Sequence, residues 1–180
     1  VRLSAPTPVV GWNPKIKDWS TNKNIVTKVK YQGQCGSCWA FSAVAALESL
    51  SYQAYKIKAD LSEQHLVDCS SAYGNGGCSG GWLAHAYNYV NDNGIATEAS
   101  YPYIEADGTC LYPTSNLFQI SGYVDVYPYT CDAVAAAVFK RPLSVAVDAS
   151  NWSDYSSGIF SDCDSNINHG VLLVGVNKTI

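Results

Sequence analysis

Residues 32–42 read QGQCGSCWAFS, and the reading of this stretch decides the fold. Cys35 and Cys38 lie three positions apart, and a long apolar run begins at the second of them. From Cys38 the sequence CWAFSAVAALESLSYQAYK is apolar nearly all round, with Phe41, Ala45 and Leu47 inside it, which predicts a buried helix. Gly36 and Ser37 stand where such a helix begins. Four chemistries compete for the two cysteines. A zinc knuckle needs a second ligand pair at similar spacing, and neither Cys69/Cys78 nor any Cys/His pair supplies one, so no metal is expected. A redox pair needs its C-x-x-C on a helix that follows a strand, and the preceding NIVTKVKYQGQ is only loosely strand-like. A purely structural role would tie both cysteines into disulfides. The fourth reading makes Cys38 a nucleophile. At a helix N-terminus the macrodipole and unpaired N–H groups favour a thiolate. A thiolate nucleophile also needs a cationic partner and donors for an oxyanion. Gln32, six residues upstream, offers a side-chain amide, and the Cys38 backbone N–H offers a second donor.

Outward from this stretch, three more helices are legible. LSEQHLVDC has Ser62 as N-cap and Glu63 in the first turn. WLAHAYNYVNDN places Leu83, Ala86, Tyr87 and Val90 on one face and stops at Gly94. A fourth helix runs from Asp132 through AVAAAVFKR to Pro142. The period then changes: Leu143 to Ala149 and Gly170 to Val176 are β-branched apolar runs of strand length. A helical front and a strand-rich back predict an α+β chain of two lobes with a cleft between them.

Composition narrows the partners. The chain has 180 residues, 47% hydrophobic and 14% charged, enough for a substantial core. With 11 basic and 15 acidic residues and a net charge of −4, no basic stretch could neutralise phosphates, which argues against nucleic acid as a main partner. No apolar stretch approaches ~18 residues, so no membrane span is expected. VRLSAPTPVV lacks the apolar core of a signal peptide, and the absence of any methionine predicts a processed product or a fragment. Seven cysteines indicate an oxidising compartment, and their odd number leaves at least one thiol without a partner inside the chain. Two sequons begin at Asn151 and Asn177.

QGQCGSCWAFS resembles the active-site segment of the papain-like cysteine proteases, whose signature is C-G-[SA]-C-[WY]. LSEQHLVDC, GCSGGW (77–82), YPY (101–103), PLSVAVDA (142–149) and INHGVLLVGV (167–176) follow in the family's order, with a cathepsin L-like flavour. The resemblance implies a papain-like two-lobe fold: an N-terminal arm over residues 1–22, in part a propeptide remnant, that crosses to the barrel lobe; a helical lobe over 23–122; and a β-barrel lobe over 123–180, incomplete at its C-terminus. It implies a cysteine endopeptidase that works through a thioester acyl-enzyme without a cofactor. His169 is the base it predicts, 131 positions after Cys38 (169 − 38), within the ~130–150 window for this family's downstream partners. His65 and His85 lie in helices and are read as ordinary. Gln32 and the Cys38 N–H would hold the oxyanion. Gly80 and Gly81 would present backbone to an extended peptide, and Leu83, Ala146 and Ile167 would line the S2 pocket, with Trp82 at its rim. No acidic residue is among them, so an apolar or aromatic residue is preferred there. Asn168, before the histidine, replaces the family's frequent aspartate. Cys35–Cys78 and Cys69–Cys110 are the implied disulfides. Cys163 would pair with a cysteine of a light chain, and Cys131 has no family counterpart, with a Cys131–Cys163 bridge the alternative. The family's orienting asparagine, followed by Ser-Trp-Gly, has no match. Asn177 is too close to His169 for that role, and the stop just after the histidine strand predicts a heavy chain whose light chain supplies the asparagine, with a truncated chain the alternative. Partners implied are peptide and protein substrates, a propeptide of the zymogen and cystatin-like inhibitors, in a lysosomal, vacuolar or secreted setting. The competing readings are a catalytically inactive homologue that binds, and a thiol oxidoreductase.

Overall fold

The apolar run from Cys38 folds as α1 (Cys38–Tyr55), and Trp39, Ala40, Ala43, Val44 and Leu47 on it are buried. The computed structural model describes residues 16–127 and 129–177; the first 15 residues of the expected arm, and Lys178 and Thr179 of the second sequon, lie outside them. α2 (Glu63–Cys69) and α3 (Leu83–Asn93) pack on α1, so that Leu66, Val67, Ala86, Tyr89 and Val90 join Leu61 and Ile95 in one core. Each fully buried aliphatic or aromatic side chain there contributes about 1.5–3 kcal/mol over leaving it in water.

Local chemistry sets the boundaries. Ser62 caps α2, its hydroxyl accepting the His65 N–H at 2.9 Å. α3 ends at Gly94, whose φ of 76° suits a residue without a side chain and whose N–H returns to Val90 O at 2.9 Å. α4 (Cys131–Val138) opens at Thr130, which accepts the Ala133 N–H at 3.3 Å. The sequence carries this helix to Arg141. It stops at Val138 and tightens, with Lys140 N–H returning to Ala137 O at 3.0 Å, before Pro142 disfavours helical backbone at Arg141.

β2 (Leu143–Val147) and β3 (His169–Leu173) pair antiparallel, with Val147 opposite His169. The run over 170–176 is not one strand. It breaks at Val174, whose carbonyl accepts the Trp19 N–H at 2.8 Å, and continues as β4 (Gly175–Asn177) in a different sheet, paired with β1 (Ile16–Asp18). Cys35–Cys78 and Cys69–Cys110 are bonded, across sequence separations of 43 and 41 residues. In the chain-entropy account, each such closure is worth about 4 kcal/mol. Cys38, Cys131 and Cys163 are free thiols, so no Cys131–Cys163 bridge forms.

His65 is a core histidine. It is 1% exposed, its Nε2 lies 2.9 Å from the Tyr89 hydroxyl, and its Nδ1 accepts the Ala96 N–H at 3.0 Å. Acceptance at Nδ1 puts the proton on Nε2 and makes the ring neutral. Burial pushes its pKa down to about 4. Between pH 6.5 and 4 the unfolded chain therefore binds the extra proton, and stability falls as pH falls through that window, by about 2–3 kcal/mol. Urea unfolding at pH 7, 5.5 and 4 checks this: His65→Gln is expected to be less stable at pH 7 but to lose less on acidification than the wild type. Equal losses would refute it.

Candidate active site

Cys38 is the first residue of α1 and is partly buried. Its neighbour Cys35 is locked to Cys78, which removes a reversible Cys35–Cys38 pair. Strand β3 crosses the same end of the helix. A Cβ built on Gly170 would stand 3.2 Å from the Cys38 carbonyl oxygen and 3.3 Å from Trp39 Cα, so only glycine sits there without displacement. Ser42 Oγ donates to Val171 O and Ser144 Oγ donates to Ser42 O, both at 2.7 Å, which stitches the first turns of α1 to β3 and β2. His169, one residue before Gly170, is thereby set at the N-terminal end of α1. It is half-buried, and burial holds its imidazole below the usual range. The Trp152 ring meets it edge to face, with centroids 5.7 Å apart and planes at 90°.

The loop before α1 is folded back on itself. Gln32 Nε2 donates to Cys35 O at 2.9 Å, and Gly36 N–H donates to Cys78 O at 2.9 Å. On the other side of α1, the glycine turn lies on Trp39. A Cβ on Gly81 would come within 2.7 Å of that indole, whose Nε1 donates to Gly77 O at 3.1 Å. Trp82 is 61% exposed beside this turn, and Leu83 begins α3. Ala146 is exposed on β2 opposite Gly170, and Ile167 is 51% exposed just before β3. Tyr87 of α3 and Ser144 of β2 share a 2.6 Å hydrogen bond that holds these elements together. Among the described residues, no group of three His, Cys, Asp or Glu is placed to hold a metal ion.

The sequence model of the papain family cysteine proteases matches residues 13–179. The chain belongs to the papain family. It is 50% identical over 161 residues to cathepsin L 2 of Paramecium tetraurelia, covering 88% of this chain and 51% of that one. It is 48% identical over 170 residues to bovine cathepsin S, covering 90% and 51%. The chain thus spans about half the length of the curated relatives it matches. A Carica candamarcensis cysteine protease solved with E-64 superposes with a TM-score of 0.85 at 33% identity, over 92% of this chain and 79% of that one. Procathepsin L 3 of Tenebrio molitor gives 0.85 at 41% identity, over 93% and 57%. The fold is the papain-like α+β fold of two lobes.

Within this papain-family chain, several polar groups singled out by sequence are already committed to other bonds. Gly80 N–H donates to Gly77 O at 3.3 Å and its carbonyl accepts the Gly76 N–H at 2.8 Å, which engages its backbone inside the turn. The Asn168 side chain accepts the Ala149 N–H at 2.9 Å and donates to Ser150 Oγ at 2.8 Å and Asp148 Oδ1 at 3.2 Å. Asp148, 7% exposed, also accepts the Asp164 N–H at 2.7 Å, and its bonds to Ser150, Asp164 and Asn168 hold its carboxyl below the usual range. Asn168 therefore ties the 148–164 loop to the residue before His169. The bonds that tie Asn168 into that network, and the contact of Trp152 with His169, escape sequence reading because their partners lie 17 to 20 positions apart. Asn151 Nδ2 donates to Asp162 Oδ2 at 3.1 Å on the exposed rim of that loop. Asn177 lies in β4, a different sheet from His169.

Proposed function

We propose that this chain carries the reacting residues of a cysteine endopeptidase. Cys38 is the nucleophile, His169 the acid and base, and Gln32 with the Cys38 N–H the oxyanion donors. The observation that carries this reading is the contact of Gly170 with the Cys38 carbonyl, which brings the histidine strand to the mouth of the cysteine helix. The thiolate attacks the scissile carbonyl, forming a C–S bond and an oxyanion. The tetrahedral intermediate collapses, His169 protonates the departing amine, and a thioester remains. Water then adds as His169 takes its proton. The carboxylate product leaves and the thiolate is restored.

Gly81 backbone is the edge to which an extended peptide adds, and Leu83, Ala146, Ile167 and the exposed Trp82 favour an apolar or aromatic residue in S2. Gly80 contributes shape, since a side chain at its φ of 112° is disfavoured. Two disulfides suit an oxidising setting, lysosomal, vacuolar or secreted. Cys163, an exposed thiol, is the attachment point proposed for a light chain, and propeptide and cystatin-like inhibitors are the macromolecular partners.

Alkylation tests the reading. Iodoacetamide reaches three thiols here, so peptide mapping must say which one matters. Peptidase activity is expected to fall in step with carbamidomethylation of Cys38, and to survive when only Cys131 and Cys163 are modified. Full activity with Cys38 blocked would end the proposal.

A further inference from the structure

Tyr103 sits at the third position of YPY, and its hydroxyl bridges two parts of the active-site loop. It donates to the backbone carbonyl of Gln32 at 2.8 Å and lies 2.7 Å from Ser37 Oγ. A phenol has one proton, and with that proton on the Gln32 carbonyl the Ser37 hydroxyl donates into the phenolic oxygen. Ser37 is the N-cap residue of α1, yet its side chain accepts no helix N–H. One oxygen atom thus joins residue 32, whose side-chain amide is the first oxyanion donor, to residue 37, whose carbonyl carbon bears the Cys38 N–H, the second.

The segment carrying Tyr103 is itself anchored. Tyr103 N–H donates to Glu98 Oε1 at 2.8 Å, Ile104 N–H donates to Gln64 Oε1 at 3.0 Å, and Gln64 Nε2 donates to Ala106 O at 2.8 Å. Gln64 belongs to α2, so the segment is tied to the helical core. Two residues after Tyr103, the Glu105 carboxylate accepts the Gln34 N–H at 2.5 Å and fills the space beside Gly33, whose φ is +64°. The Tyr103 ring also meets Phe41 of α1 edge to face, with centroids 5.0 Å apart. Loop 32–37 is therefore held at Gln32, Gln34 and Ser37 by one stretch of chain more than 60 residues away in sequence.

We propose that Tyr103 is a positioning residue for the oxyanion site: its hydroxyl holds the Gln32 backbone against the cap of α1, so that the Gln32 side-chain amide, with one hydrogen on Cys35 O, keeps its second hydrogen for the developing oxyanion. This rests on the assignment of Gln32 and the Cys38 N–H as oxyanion donors. A donor aimed at charge that develops only in the transition state acts on kcat, and a small misplacement is costly.

The test compares wild type, Y103F, Q32A and Y103F/Q32A in the full-length protein, with kcat per titrated active site, KM for a peptide amide, and the rate of Cys38 alkylation by iodoacetamide. Alkylation at a saturated carbon forms no oxyanion in this site, so it reports the thiolate alone. Q32A is expected to lower kcat by about 100-fold and Y103F by about 10-fold, with KM and the alkylation rate within about twofold of wild type. In the Q32A background, adding Y103F is expected to cost less than about threefold, because the group it positions is gone. A Y103F kcat within about twofold of wild type, or the same 10-fold loss with Gln32 absent, overturns the inference while Q32A still supports the donor assignment. Parallel loss of alkylation and kcat in Y103F also overturns it, since a purely structural strut would act on both. An unaffected Q32A kcat overturns the donor assignment itself, and the inference with it.

Discussion

Replacing His169 with alanine is expected to lower kcat/KM for a peptide amide by about 10⁴-fold or more, the scale seen when one member of a nucleophile–base unit is removed. Two contributions are lost together. In the proposed mechanism the leaving amine would lack its proton donor, and the Cys38 thiolate would lack a cation beside it. The second loss has its own readout: at pH 5 the alkylation rate of Cys38 by iodoacetamide falls with the activity, because an isolated thiol is mostly protonated there. Burial lowers the His169 pKa. In the proposed pair a thiolate would favour the imidazolium, so Cys38→Ser is expected to leave His169 neutral over most of the working range. The fold is expected to survive, since position 169 keeps its backbone pairing with Val147 and the close contact to α1 is made by Gly170. Circular dichroism melts within a few degrees of wild type, together with the rate loss, are the expected pattern. A variant that retains more than about a tenth of wild-type kcat/KM would rule out His169 as the base.

What is legible in the sequence follows from what is local. The Cys38 helix, the Ser62 cap and the Gly94 stop depend on neighbours within a turn, and the residues announce them. β1 does not announce itself, because three residues carry no period and its partner lies at the far end of the chain. The break at Val174 is equally silent: an apolar run reads the same whether or not Trp19 takes a carbonyl from its middle. At the site, Cys38 stands out as a candidate nucleophile by its place at the head of an apolar run, while His169 needs the family resemblance to be chosen from three histidines. The register of β2 on β3 and the closeness of Gly170 to α1 are long-range facts with no sequence period. Asn168 and Gly80 teach a related point. A sequence shows which groups can bind a peptide but not which neighbours have already taken them. Asn168 turns inward to Asp148 and Ser150 because a buried carboxylate there requires donors.

Glu48 is the sharpest instance of that blindness, and it carries the second large effect. It lies inside the apolar face of α1, 2% exposed, and Glu63 at the start of α2 is 1% exposed. Lys30 Nζ stands 2.8 Å from each carboxylate and 3.2 Å from the Leu61 carbonyl, with the exposed Asp60 also at 3.2 Å. Glu48 accepts further bonds from Leu61 N–H at 3.0 Å and Thr27 Oγ1 at 2.8 Å. Burial alone would lower the Lys30 pKa, but Glu63 and Glu48 together hold it above its ordinary value. Burial pushes Glu63 up to about 7 against the pull of Lys30, as expected where two carboxylates share one ammonium. The sign follows: a carboxyl whose folded pKa exceeds its unfolded value stabilises below about pH 4.5, and that contribution is lost as pH rises through about 7. Lys30→Met removes the only cation that the described residues bring to this cluster and leaves two buried acids without it. It is expected to destabilise the fold by about 3–5 kcal/mol at pH 7.5, a large part of what a domain has. The deficit should shrink by pH 4.5, where the Glu63 carboxyl can hold a proton. Adding Glu63→Gln to Lys30→Met should recover part of the loss at pH 7.5 and little at pH 4.5. Urea unfolding at the two pH values measures all of this. A deficit below about 1 kcal/mol at pH 7.5, of the size an exposed ion pair gives, or one independent of pH, would mean that water reaches the cluster and that the three charges do not hold α1 to α2.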